Sequence, residues 1–278
     1  MKVIEAIISI VLVVIVYAFL FIALYKLPWI GERILNKLRE WAEMPLEDIG
    51  LLLHLDENSG SGPGTKVMDS SGWENHGTFG SSSPIWGADK TVIWGGSLVF
   101  DTDNYVEVWS IVKNRERLNP NSTTIEFWIK RLTDPPENER ECWRNILSKG
   151  ISDPSYQVRL SGDLSIVAKF KIGGAGEGSV KSDGFVPKSN KGTHVAITYD
   201  NSTGIAKIII NGFEDKSLKI GPGEIKANDE PLIIGNLNLP NPSCTNEGKS
   251  VQAVLDEIRI YNKALDPFEI VAHYQNLY

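Results

Sequence analysis

The sequence predicts an all-β protein, a two-sheet antiparallel jelly-roll sandwich, preceded by an N-terminal α-helix that crosses a membrane or packs a filament. Three observations predict it. Residues 6–25 carry no charge. Beyond residue 50, short runs alternate apolar and polar side chains, the period-2 pattern of a strand. Turn-forming Asn and Gly residues separate those runs, and one helix-start signal follows them near the end.

The first element is the uncharged run AIISIVLVVIVYAFLFIALY. As a helix it would span about 30 Å, one bilayer core. A cleaved signal peptide is shorter and ends at small residues, whereas this run ends Leu24-Tyr25-Lys26. Residues 1–27 therefore read as an apolar transmembrane or anchor helix. Residues 28–50 read as an amphipathic helical linker: after Pro28, Ile30, Ile34, Leu38 and Trp41 recur at helical spacing, and Pro45 and Gly50 close it. Lys26, Arg33, Lys37 and Arg39 follow the apolar run while Lys2 alone precedes it. The positive-inside rule would put that C-terminal flank in the cytoplasm, against the extracellular placement argued below for the large domain.

Glu5 stands one turn inside the apolar helix, where a carboxylate is costly and marks a function. The start Met1-Lys2-Val3-Ile4-Glu5-Ala6-Ile7-Ile8 resembles the mature N-terminus of type IV pilin-like proteins. That resemblance covers the apolar helix alone; the family's basic leader ending in Gly does not stand before Met1, so either it has been removed or the helix is an ordinary anchor. It implies that Glu5 neutralises the terminal amine of a neighbouring subunit; the other reading is a charge at the lipid headgroups.

Residues 51–278 form the expected β domain. Its strands read, in order, as 51–55, 97–100, 105–109, 123–130, 156–160, 164–172, 194–199, 205–212, 231–235 and 254–261. Thr124, Glu126, Trp128 and Lys130 fall on one side while Ile125, Phe127 and Ile129 fall on the other, as in a sheet with one buried face. Asn201 to Gly204 joins two strands, and Asn211-Gly212 ends the second. The glycine-rich run Gly173 to Gly178 lies between two strand-like runs rather than before a helix, so it reads as a hairpin loop, not a phosphate loop. Asp266-Pro267-Phe268-Glu269 supplies an N-cap, a Pro at the first helical position and a capping-box acid, opening a short helix through Ile270 and His273.

Several of these segments carry a family resemblance. Leu55-Asp56-Glu57-Asn58, the stretch Met68-Asp69-Ser70-Ser71-Gly72 through Thr78, and Gly95 to Phe100 followed by Asn104 to Val108 come first. Thr124 to Ile129, His194 to Asp200, Gly204 to Gly212 and Leu255 to Leu265 follow in order. Together they resemble laminin-G-like domains of the concanavalin A-like lectin/glucanase type. The resemblance implies a two-sheet jelly roll that binds glycans or proteins without catalysis. Relatives such as pentraxins hold calcium through acidic residues after the strand matching Pro231 to Gly235. Here residues 236–242 carry amides and no carboxylate, which counts against a calcium site at that rim.

The formal charge is −7, with no Lys/Arg-rich patch beside an aromatic stripe, so nucleic acid is not an expected partner. Retaining glycoside hydrolysis needs two carboxylates about 5 Å apart. Asp56-Glu57 and Asp256-Glu257 are adjacent pairs, whose members point to opposite faces of a strand. His54, His76, His194 and His273 are scattered without zinc-ligand spacing. Trp86 and Trp143 are the rim aromatics expected to meet a sugar face. Cys142 and Cys244, about a hundred residues apart, read as a disulfide or as two free thiols. Asn121 and Asn201 open glycosylation sequons.

Period 2 places Asp256 on the side of Ile258 and Ile260. Asp256 is therefore expected to be buried and to clamp the Asp69 to Asn75 loop, directly or through a structural calcium. The expected protein is a non-catalytic, single-pass, membrane-anchored cell-surface adhesion or recognition molecule binding glycan or a surface protein. A pilin-like filament subunit, self-associating through its helix, is the second reading, and a glycoside hydrolase of the same fold the third.

Overall fold

Alternating side chains and tight turns build two antiparallel sheets of eight strands each. The computed structural model describes residues 48–87, 95–101, 103–110, 116–134, 142–188, 191–235 and 251–275. The apolar segment 1–27 with Glu5, all of the linker before residue 48, Cys244 and the loop 236–242 lie outside them. Among the described residues no helix is long and apolar enough to cross a membrane.

The first sheet runs β14 (Phe213–Lys219), β13 (Ile205–Ile210), β12 (Thr193–Asp200), β7 (Thr123–Arg131), β16 (Ala253–Tyr261), β5 (Ser97–Phe100) and β4 (Ile85–Gly87), with β1 (Ile49–Leu53) also pairing β16. The second runs β11 (Gly176–Phe185), β10 (Ser165–Ile172), β9 (Tyr156–Leu160), β8 (Arg144–Lys149), β15 (Leu232–Gly235), β6 (Tyr105–Val108), β3 (Gly77–Phe79) and β2 (Lys66–Val67). Side chains from the facing surfaces form one core, including Leu51, Leu98, Phe127 and Ile258 from the first sheet and Val106, Tyr156 and Phe170 from the second. Phe170 of one sheet stacks on Tyr199 of the other at 5.1 Å. Each such side chain contributes roughly 1.5–3 kcal/mol by leaving water.

Every expected strand forms, but β1 starts at Ile49, inside the span assigned to the linker. Gly50 is not a helix stop. It marks a register shift in the β1–β16 pair, and a Cβ there would lie 2.1 Å from the Arg117 carbonyl oxygen, so a glycine is required. Strands β2, β3, β4, β8, β11 and β14 were not expected. The first three have only two or three residues. β8 is buried throughout, and β14 is a largely exposed edge. Strand β11 takes in the end of the glycine-rich run, whose turn is confined to residues 173–175. Asn211 and Gly212, at φ 51° and 80°, form the two-residue turn between β13 and β14.

Helix α1 (Pro267–Tyr274) starts as expected: Asp266 caps the Phe268 N–H, and Glu269 completes the capping box. It buries Ile270, Ala272 and His273. The segment before α1 is locked to β7 by Thr124, whose hydroxyl donates to the Lys263 carbonyl and accepts from the Leu265 N–H, both at 2.8 Å. The expectation of one buried face on β7 therefore fails at its centre: Glu126, on the side away from the core, is 1% exposed.

Candidate functional site

The loop after β1 is organised by Asp69. Its carboxylate accepts from the N–H groups of Leu52, Ser71 and Asn75 at 2.9–3.0 Å and from the Ser71 hydroxyl at 2.7 Å. Asn75, fully buried, donates its amide to the Gly50 carbonyl at 3.1 Å. The loop is thus clamped onto β1 by Asp69 and Asn75. Four donors saturate the Asp69 carboxylate, leaving no free oxygen pair for a cation. Among the described residues no group of three or more His, Cys, Asp or Glu side chains gathers to hold a metal ion.

Asp256 is buried, at 1% exposure, but it is not the clamp. Strand β16 carries a bulge between Asp256 and Arg259, with Glu257 at φ 48°. The bulge inverts the alternation. Ala253 and Leu255 point into the core before it, and Ile258 and Ile260 after it. Asp256 pairs across from Trp128, and so lies on the face opposite to Ile258 and Ile260. Its Oδ1 accepts from the Glu257 N–H at 2.9 Å, and its Oδ2 has no hydrogen-bond partner. Burial, then the neighbouring Glu257 charge, pushes its carboxyl up to about 8.

The same face of the first sheet holds an ionic cluster beneath α1. His273 Nδ1 lies 2.7 Å from Glu126 Oε2, and His194 Nε2 lies 3.8 Å from Glu126 Oε1. Burial disfavours charge on Glu126, but His273, its hydrogen bond, His194 and Arg259 outweigh that and hold its carboxyl below the usual range. His194 is pushed down to about 4, chiefly by burial. Tyr261 stacks on His273 at 5.7 Å and Tyr274 on Trp128 at 5.9 Å. At the cluster's edge Glu257 bridges His54 at 2.7 Å and Arg259 at 2.8 Å. Glu126, His194 and His273 are closed to solvent beneath the helix, and among the described residues no nucleophile joins them, so the cluster docks α1. None of the scattered histidines gave it away in the sequence.

The two rim tryptophans have different environments. Trp86 donates its indole N–H to the carbonyls of Ser59 and Gly60 at 3.0 and 3.1 Å and packs on Phe79 at 5.4 Å. It fastens a loop. Trp143 is 40% exposed. It immediately precedes β8, two residues before Asn145, and therefore lies on the same outward face of the second sheet. Pairing runs that face in rows: Asn145 beside Arg159, Arg159 beside Val167, and Val167 beside Lys181. The Arg159 guanidinium carbon lies 5.6 Å from the centre of the Trp143 ring. Asn145 donates to the Gly235 carbonyl at 2.8 Å and accepts from the Gln157 amide at 3.0 Å.

Cys142, next to Trp143, is buried and disulfide-bonded; Cys244, the other cysteine of the chain, lies outside the described residues. The two sequons meet: Ser122 donates its hydroxyl to Asn201 Oδ1 at 2.9 Å, and exposed Asn121 donates to Glu224 at 3.0 Å. A cleft of about 280 Å³ opens between β12, β13 and the start of α1, with Ile205, Ile209, Pro267 and Ile270 among its walls. Its lysine, Lys207, is already paired with Glu214 at 2.7 Å, and it has no aromatic wall.

A family model described as the concanavalin A-like lectin/glucanases superfamily matches residues 100–271. No curated protein matches the chain in sequence. Among solved structures, the receptor binding domain of a botulinum neurotoxin C/D mosaic serotype is similar at a TM-score of 0.62 and 17% identity, over 83% of this chain and 52% of that one. The binding domain of botulinum neurotoxin DC is similar both in complex with rat synaptotagmin II and in complex with SialylT. Each of these two has a TM-score of 0.60 and 16% identity, over 84% of this chain and 52% of the other. The chain spans about half the length of these structures, and at such identities the likeness is one of fold.

Proposed function

The chain belongs to the concanavalin A-like lectin/glucanases superfamily, and on that premise we propose that it is a non-catalytic, membrane-anchored surface protein whose jelly roll binds glycan. The observation that carries this reading is Trp143, a half-exposed indole beside the Arg159 guanidinium on the outward face of the second sheet. The indole offers a ring for the C–H side of a sugar and the guanidinium offers donors for its hydroxyls, while the buried Asn145 and Gln157 amides hold the strands beneath them. Neighbours in fold that bind SialylT and synaptotagmin II support a binding role, with glycan or protein as the partner class. The absence of catalysis is argued from the central row of the second sheet, where Thr78, Glu107, Ile233, Ser148, Gln157 and Lys169 lie side by side. That row carries one carboxylate, whereas the hydrolytic reaction uses two.

The test is a glycan array probed with the full chain in detergent. Trp143→Ala should weaken binding at least about tenfold with an unchanged melting temperature. A folded chain that binds no glycan on the array would sink the reading, and release of new reducing ends from a bound glycan would overturn its non-catalytic part. Protease shaving of intact cells tests the surface placement, which a fully protected domain would refute.

The pilin-like alternative rests on Glu5 and the uncharged run after it. It requires the chain to appear in sheared filaments, and to leave them when Glu5→Ala is made. The proposal of a structural calcium is supported by Asp256 Oδ2 and Asn75 Oδ1, two buried oxygens without a hydrogen-bond partner. A melting temperature unmoved by calcium or chelator would remove it.

A further inference from the structure

The outward face of β9, β10 and β11 is dense in charge, and its cations differ in one respect. Lys169 pairs with Glu177 at 2.6 Å, Lys181 with Asp163 at 2.6 Å, and Lys171 with Asp153. Arg159, in the middle of them, has neither a carboxylate nor a hydrogen-bond partner among the described residues, and its guanidinium contact is the Trp143 ring. It is half-buried, flanked on its own face by Asn145 and Val167. A planar cation held partly out of water with no carboxylate in hydrogen-bond reach is a poised receptor, because an incoming carboxylate there restores the lost solvation and gains two parallel hydrogen bonds. Partial burial, which Glu177 only partly offsets, disfavours the charged guanidinium, in keeping with a vacancy for an anion.

We propose that Arg159 and Trp143 form a subsite for a carboxylate-bearing sugar, the guanidinium taking the carboxylate and the indole the C–H face of the same ring. The inference rests on the glycan-binding reading and sharpens it to acidic sugars. The face limits what fits. Lys169, Lys171 and Lys181 are matched by Glu177, Asp153 and Asp163, and Asp183 of β11 by Lys216, which leaves the charge of Arg159 over, so a single carboxylate is favoured and a densely sulfated chain would meet Glu177 and Asp163. The buried amides of Asn145, beside Arg159 in its own row, and of Gln157, in the next row, lie on the same face and bond to each other.

The experiment compares each acidic oligosaccharide with its carboxyl-reduced alcohol on the full chain in detergent. The native chain should bind the acid at least about tenfold more tightly than the alcohol. Arg159→Gln should bind both forms at the alcohol's level, and Arg159→Lys should recover only part of the preference, since an ammonium cannot make the forked pair. Equal binding of acid and alcohol by the native chain, or a preference surviving in Arg159→Gln, overturns the subsite while the glycan reading stands. A preference for sulfated over carboxylated ligands overturns the carboxylate assignment. Failure to bind any form, acidic or neutral, removes the glycan reading itself. The native chain alone decides the acid-over-alcohol comparison, so it holds even where a variant misfolds.

Discussion

At the scale of single residues, two buried aspartates show opposite chemistry. Asp69 takes four hydrogen bonds, one from Leu52 of β1 and three from within its own loop. Asp69→Ala orphans three N–H groups, two of them in buried bonds, so it should cost about 2–4 kcal/mol, read as a lower midpoint in urea unfolding. Asp256 has one satisfied oxygen and one unpartnered, which reverses the sign expected of a clamping residue. Its folded carboxyl titrates near 8 against an ordinary 3.8. The folded state therefore holds this proton more tightly than the unfolded chain. The two are equal below about pH 4, and stability declines as pH rises through 8, by on the order of a few kcal/mol. Asp256→Asn keeps the neutral form and should be more stable than the native chain above pH 8 and nearly equal to it at pH 4. A melting curve unchanged by the substitution at pH 9 would contradict this. The tryptophans teach the same lesson at residue scale: Trp86 and Trp143 look alike in sequence, and only the carbonyls of Ser59 and Gly60 distinguish a fastener from a platform.

At the scale of elements, α1 is eight residues long, too short to persist in water on its own. Its capping box was legible because the Asp266–Glu269 spacing is local. Its docking was not, because the partners, Glu126 and Trp128, come from β7 far away in the chain. Docking has a pH dependence with a definite sign. His194 is held neutral, with its folded value near 4 against 6.5 unfolded, so its contribution is intact above pH 6.5 and is lost as pH falls from 6.5 toward 4. The lowered Glu126 adds a loss at still lower pH. Amide protection factors in α1 should therefore fall below pH 6, and His194→Gln should flatten that response; protection factors that are constant from pH 7 to 4.5 would count against it. The bulge in β16 was equally hidden. It puts a non-glycine residue, Glu257, at positive φ, and no period count can anticipate one inserted residue.

At the scale of the whole molecule, long-range ties carry the sandwich. The disulfide of Cys142 is one of them. In the chain-entropy view a bridge closing a loop of about a hundred residues stabilises by roughly 4 kcal/mol, so a reductant should lower the melting temperature measurably, and no shift would show the bridge to be energetically idle. What the sequence determined by itself was whatever repeats locally: the alternation of β7, β10 and β12, the Asn211-Gly212 turn, the capped helix, and ordered motifs sufficient for the fold. The tertiary structure alone decided which face of a strand is covered, where register slips, and which ionisable groups are left without partners. Alternation is a property of neighbouring residues, whereas burial, pairing and charge compensation depend on side chains brought together from distant parts of the chain. That is why Glu126, Asp256 and Arg159 acquire their chemistry only in the folded sheet.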